Sequence, residues 1–327
     1  MKNPYFWLVV IVGIGILWQC SCPNDPEPEI ESVLTHHGPS DKFEQIKINL
    51  WNNSPNLGNP VIREAVIMEL DELLFDESSE GITRSFDFYT STMQKVANEI
   101  DEEVVNGIRI WMMYNHGFII KTPHNTIAFD LVDGYTDWQE QRSYELPDRI
   151  LNFIDVLFIS HEHVDHFDLS IIDRVKNHGG QVISNVDINP MNINGLSIKT
   201  YNGIHTVPTR IFEVTTVDGY KIVHTGDNDN SEALPYLVDV DVLLLYAKTN
   251  ESFTTYSSVG MRNCIYKLTP TITIPGHIHE FGQEHDSRAH DNDVRALYKW
   301  SFHITDNYWI PTTLQVMAWG EYFDFVK

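Results

Sequence analysis

The stretch 158-FISHEHVDHFD-168 puts three histidines and two acids between His161 and His166, directly after the apolar run VLFIS. A chain leaving a buried strand rarely spends so much imidazole and carboxylate at once. In an extended segment, residues i and i+2 point the same way, so His161 and His163 can hold one metal ion between them. A turn after Val164 would aim Asp165 and His166 elsewhere, toward a second ion. Imidazole nitrogen and carboxylate oxygen suit zinc, and also iron or manganese. The strand fixes the position of the loop, and the loop supplies polar atoms where the sheet ends. On this hexapeptide alone, a merely hydrophilic His-rich loop is the alternative.

Four ligands are too few for a two-metal site. The rest of the chain supplies more, each time at a strand end. TYNGIHTVP places His205 after the run SIKTY, KIVHTGDND places Asp227 after a long apolar strand, and TITIPGHIHEFG places His277 after another. A lone histidine at any of these places is usually structural. Three such positions in order, each after a strand, are harder to dismiss.

HEHVDH matches the HxHxDH motif of the metallo-β-lactamase fold superfamily. His205, Asp227 in TGD and His277 in IPGH match its later ligand motifs in order. YNHGFIIKT, Tyr114 to Thr122, is similar to the GHAxxLI strand of the branch that includes ascorbate-phosphate lactonases and the phospholipase D acting on N-acyl-phosphatidylethanolamine. The resemblance covers about 107–327. It implies an α/β fold, an αββα four-layer sandwich with the metals at one edge of two facing sheets. It implies two divalent ions, foremost zinc, with manganese or iron as alternatives. His161, His163 and His205 would hold the first, Asp165, His166 and His277 the second, and Asp227 would bridge both. The short interval from His166 to His205 keeps His224, just before TGD, as the fallback for His205.

Two such cations would lower the pKa of a bridging water from 15.7 toward roughly 7 and polarise a carbonyl or phosphoryl oxygen. Asp165 would orient or accept the proton of that hydroxide. His279 or His116 could protonate a leaving group, against a packing or hydrogen-bonding role for each. HIHEFGQEH is not the HExxH spacing of zinc proteases, and Glu280, His285 and His290 read as a polar surface loop.

Residues 1–22 read as a signal peptide of lipoprotein type. MKN is a short positive start, and the apolar run Tyr5–Trp18 is shorter than the about 20 residues a membrane span needs. QCSC then offers Cys22, or else Cys20, for acylation. That predicts an exported protein, lipid-anchored to the bacterial outer membrane or cell surface, with a soluble periplasmic form as the alternative. Residues 23–40 form an acidic, Pro-rich linker in which His36 and His37 are solvated. Beyond the signal only Cys264 remains, which excludes a disulfide or Cys-rich metal site and reads as a small buried hydrophobe.

From 41 to 105 the pattern is a helical extension. One helix starts at Asn59-Pro60, with Ile62, Val66, Leu70, Leu73 and Leu74 on its stripe, and ends at 77–81. A second spans Ser91–Val105 on Met93, Val96, Ile100 and Val104. From 106 to 327 strands begin: GIRIWMMYNHGFIIKT and TIAFDLV flank the turn PHN, later strands alternate with helices, and TLQVMAWGEYFDFV alternates like a hairpin. Trp111, Tyr114, Tyr135 and Trp138 read equally as pocket wall or core.

The net charge of −24 repels phosphate backbones, so nucleic-acid binding is not expected. The leading reading is a metal-dependent hydrolase of a lactone, phosphodiester, ester or amide, acting on a small-molecule or lipid-linked substrate. The alternatives are an iron-dependent oxidoreductase of the same fold, which here has no flavin or rubredoxin-like module, and a surface binding protein with a non-catalytic metal site.

Overall fold

Strands that are apolar on both faces need cover on both sides, and two facing sheets with outer helices provide it. A computed structural model describes residues 41–327 except 57, 75–77, 134–143, 185–190, 249–257 and 280–311. The expected signal and linker, with Cys20, Cys22, His36 and His37, lie outside the described residues, as do Tyr135, Trp138, Glu280, His285 and His290.

The first sheet contains β1 (Ile108–Met112), β2 (Phe118–Lys121), β3 (Thr126–Phe129), β4 (Val156–Phe158), β5 (Gln181–Ile183) and β13 (Tyr322–Phe325), in the order β13-β1-β2-β3-β4-β5. Pairing is antiparallel from β13 to β3 and parallel from β3 to β5. The second contains β6 (Met191–Ile193), β7 (Leu196–Asn202), β8 (Arg210–Thr215), β9 (Lys221–His224), β10 (Val242–Tyr246), β11 (Ile272–Gly276) and β12 (Thr313–Leu314), in the order β12-β11-β10-β9-β8-β7-β6. Here β9 to β12 run parallel and β6 to β9 antiparallel.

The central parallel strands β4 and β10 are buried at every residue, while β7 alternates buried Leu196 and Ile198 with exposed Ser197 and Lys199. Between the sheets, Phe129 and Phe158 stack at 5.0 Å and meet Phe212 at 6.4 and 5.2 Å. Helix α4 (Asp148–Leu151) precedes β4, α5 (Leu169–Asn177) packs beside β5, and α6 (Ser258–Leu268) beside β10. This is a mixed α/β fold with two mixed sheets and helices, as the αββα expectation requires.

Three further helices, α1 (Lys42–Asn52), α2 (Pro60–Leu74) and α3 (Ser79–Glu99), belong to the same compact unit as the sheets, Gly38–Lys327. Local chemistry starts each one. Asp41 caps α1 through Phe43 N at 2.9 Å, Asn59 accepts from Val61 N at 3.0 Å before Pro60, and Ser78 accepts from Gly81 N at 3.0 Å. A buried bidentate pair, Arg63 to Glu321 with both contacts at 2.8 Å, ties α2 to the turn before β13. The Asn56 side chain donates to Asp324 O at 2.7 Å and accepts from Asp324 N at 3.0 Å. It therefore occupies the open edge of β13.

Several local expectations need correction. α3 starts at Ser79, because Ser78 acts as a cap where the stretch 77–81 reads as a stop, and it ends before Val104. The buried face of α2 is Arg63, Val66, Ile67, Leu70, Asp71 and Leu74, while Ile62 and Leu73 are only half-buried. GIRIWMMYNHGFIIKT is two antiparallel strands, not one. The chain reverses at Tyr114–Gly117, where Asn115 adopts φ +56° and Gly117 N donates to Tyr114 O at 2.8 Å. The C-terminal stretch is no hairpin: β12 joins the second sheet and β13 the first. Strand β6, paired with β7 across the Asn194-Gly195 turn, has no counterpart in the sequence reading. Trp111 and Tyr114 are core residues.

Candidate metal centre

β4 delivers its chain end to the edge shared by the two sheets. Ile159 N still donates to Ile183 O at 2.9 Å, and Ser160 N then turns to Asp130 Oδ1 at 2.7 Å. His166 N and Phe167 N both donate to His163 O, at 2.9 and 2.8 Å. This is the reversal that separates the first two histidines from Asp165 and His166. Asp168 then caps α5 through Ser170 N, and α5 stops at Gly179 with φ +92°.

His205 comes from the loop after β7, Asp227 follows β9, and His277 follows β11. The ligand atoms of His161, His163, His205 and Asp227 all lie within 4.8 Å of one another, and so do those of Asp165, His166, Asp227 and His277. In the first group His163 Nδ1 lies 3.1 Å from His161 Nε2 and 3.3 Å from His205 Nε2. In the second, His277 Nε2 stands 3.3 Å from both Asp165 Oδ2 and Asp227 Oδ2. Asp227 belongs to both.

The turns around this centre share a rare backbone conformation. Asn115, Asp130 and His277 sit at φ +56°, +46° and +62°, in the left-handed region that Asn, Asp and His tolerate best among residues with a side chain. Gly226, at φ +51°, lets the backbone before Asp227 pass Ser160, whose Cβ would stand 2.8 Å from an added methyl.

Around the ligands, each orienting bond selects a tautomer. Asp130 Oδ2 accepts from His166 Nδ1 at 2.8 Å and from Ser160 Oγ at 2.6 Å. The same hydroxyl lies 2.9 Å from His161 Nδ1, so it accepts that N–H while donating to Asp130. His205 Nδ1 donates to Asp229 Oδ2 at 2.8 Å. All three imidazoles thus commit Nδ1 to an orienting bond and turn Nε2 to the centre. The further convergence of Asp130, His161 and His166 is this relay, with its bonding capacity already used.

Burial alone would depress His166, but the carboxylates of Asp227, Asp165 and Asp130 override it and raise its pKa well above 6.5. Burial would raise Asp227, yet His166 and His277 hold it well below the carboxylate range. Asp165 follows the same pattern. Burial, reinforced by His166, pushes His161 down to about 3, so its lone pair is available at neutral pH. The residues fit a pair of divalent cations by a geometric criterion as well. His166 Nε2 and Asp227 Oδ1, both buried and 3.3 Å apart, form no hydrogen bond among the described residues.

His224 stays outside both groups. Its Nδ1 accepts from Gly226 N and its Nε2 donates to His116 O, each at 3.1 Å, while its ring stacks on Phe129. His116 is buried behind Asp227, with Nδ1 3.6 Å from Asp227 Oδ1. His279 is also buried, and its Nε2 donates to Met317 O at 3.1 Å. Four residues around the ligands had no role in the sequence reading: Asn115, Asp130, Ser160 and Asp229. Asp130 carried a signal, since an acid closing an apolar strand is what marks Asp227 too.

Residues 110–277, just over half of the 327-residue chain, match the family model of the beta-lactamase superfamily domain. The chain belongs to that superfamily. The superfamily domain takes in all seven convergent residues from His161 to His277 and leaves out α1 to α3. Among solved structures, the metallo-beta-lactamase fold protein YhfI from Bacillus subtilis is 14% identical, covering 67% of this chain and 100% of its own, with a TM-score of 0.45. The metallo hydrolase Igni18 from Ignicoccus hospitalis is 18% identical over 67% of this chain and 100% of its own, at 0.44. CmlA, a diiron beta-hydroxylase from Streptomyces venezuelae, is 14% identical over 79% of this chain and 60% of its own, also at 0.44. No curated protein matches the chain.

Proposed function

We propose that this superfamily member is a metal-dependent hydrolase with a dinuclear centre, a zinc pair foremost. The observation that carries the reading is the pair of four-donor groups sharing Asp227. His161, His163 and His205 would hold one cation, Asp165, His166 and His277 the other, and Asp227 both. When bound, the cations supply an acidified water and Lewis acidity toward an acyl or phosphoryl oxygen.

The chain's own residues define the rest. Asp130, Ser160 and Asp229 bond Nδ1 of three histidines and direct each Nε2 toward the metal positions. Asp165, whose side chain is 33% exposed while His166 and Asp227 are 0% and 4%, is the carboxylate placed to orient the attacking water. His116 and His279 are both fully buried, and His279 Nε2 is bonded to Met317 O, which disfavours either as the leaving-group acid. The substrate is a lactone, phosphodiester, ester or amide, small or lipid-linked. The net charge of −24 supports excluding nucleic acid. The export signal and an acyl anchor at Cys22, or else Cys20, would hold the domain at the cell envelope.

Metal content by mass spectrometry, on protein purified without added metal, tests this reading beside Asp227→Ala. About two zinc ions per chain, lost in the variant, are expected from a shared ligand. A chain that binds no metal under any condition refutes it, and two iron ions would redirect the substrate screen to oxidations.

A further inference from the structure

We propose that Asn115 makes the two metal positions unequal, its side-chain amide competing with the second cation for Asp165 and His277. The inference rests on the metal-centre reading above.

Asn115 stands in the β1–β2 turn, and its backbone O accepts from His277 N at 3.0 Å, so the turn and the His277 loop are locked together. Its side chain is fully buried. The amide Nδ2 donates to Asp165 Oδ2 at 2.6 Å and lies 3.0 Å from His277 Nε2. An NH2 group has two hydrogens; here it donates to the Asp165 carboxylate, and the same nitrogen abuts His277 Nε2. Asp165 Oδ2 and His277 Nε2 are atoms that the second cation would need. The other end of the amide is not held in the same way: Asn115 Oδ1 is buried and has no hydrogen-bond partner among the described residues. The side chain is therefore fixed by its nitrogen, upon ligand atoms.

The first group carries no such competitor. Among the described residues, His161 Nε2, His163 Nδ1 and His205 Nε2 face one another and Asp227, with no N–H donor from outside the set standing on them. The contacts a cation would replace there, 3.1 and 3.3 Å between ring nitrogens, are ones the ligands make only with one another. At the second position N–H hydrogens point toward the space a cation would take, so the amide must turn away first. A hydrogen bond to a charged carboxylate corresponds to roughly a tenfold to hundredfold factor in an equilibrium constant. The second cation accordingly binds at least about tenfold more weakly than the first.

Substitution can separate this from a packing role. Glycine accepts φ +56° without strain and keeps the backbone bond to His277. Aspartate also tolerates this conformation, keeps the size of the side chain and removes both N–H donors. Metal-free wild type, Asn115→Gly and Asn115→Asp would be titrated with zinc against a chromophoric chelator, with circular dichroism to verify folding. Two zinc events of unequal affinity are expected in the wild type, the weaker one abolished by His277→Ala. In both variants the weaker dissociation constant should fall about tenfold while the tighter one stays put. Equal affinities in the wild type, or a weaker event that is unmoved or further weakened in both variants, overturn the proposal while leaving the metal centre standing. Absence of zinc binding at either position overturns the metal-centre reading and the proposal together.

Discussion

Asp130→Asn is the substitution that most sharply tests the relay around the centre. Asp130 accepts three hydrogen bonds: from Ser160 N at 2.7 Å, from Ser160 Oγ at 2.6 Å and from His166 Nδ1 at 2.8 Å. Asparagine matches the shape of the carboxylate but turns one oxygen into a donor. If its oxygen keeps Ser160 N, its NH2 group faces His166 Nδ1 and Ser160 Oγ. His166 then lowers its energy by carrying its proton on Nε2. Ser160, now accepting from the amide, donates instead to His161 Nδ1, which shifts the His161 proton to Nε2 as well. One atom change therefore caps the metal-facing nitrogen of one histidine in each group. Loss of such an orienting partner typically weakens metal affinity about 10–100-fold, and here the effect is expected at both positions. Chelator competition with zinc measures it, and long-range nitrogen–proton correlation spectra of the histidines report the tautomers directly. A folded Asp130→Asn protein that binds both ions within about threefold of wild type would refute the relay, because the loss expected for either site exceeds that margin.

Two further outcomes follow from groups outside the metal ligands. Arg63→Ala leaves Glu321 buried without its cation and the Val316 carbonyl without its Arg63 donor, so a loss of about 3–5 kcal/mol in urea unfolding is expected. A loss under about 1 kcal/mol would mean that the helices do not depend on this tie. Burial holds His224 at about 3 and His279 at about 4, against an ordinary 6.5. Both are neutral in the fold but protonate in the unfolded chain, so stability is full above pH 6.5 and falls as pH drops toward 4 and 3. Each contributes a slope of about 1.4 kcal/mol per pH unit between roughly pH 6 and 5. His279→Gln should remove one such contribution in urea unfolding followed across pH, and an unchanged slope would show that His279 is not held neutral.

Much of this protein was legible from short-range patterns. HEHVDH could be read because two spacings decide it: i and i+2 on an extended segment, then a turn. The Asn59-Pro60 helix start was equally local, since capping is set within a few residues. The seven convergent residues could be named because each sits just after an apolar strand, a signal written in adjacent letters. What the linear pattern could not carry was which loops meet. Whether His205 or His224 approaches HEHVDH depends on β7, β8 and β9 pairing in one register, which turns His224 inward onto Phe129 and leaves His205 at the edge. The separation of β12 and β13 into different sheets, the Arg63–Glu321 tie and the arrival of Asn115 and Asp130 at the centre are of the same kind. Alternation within TLQVMAWGEYFDFV looks the same whether its two halves pair with each other or with distant partners, and only the burial gained by closing both sheets selects between them.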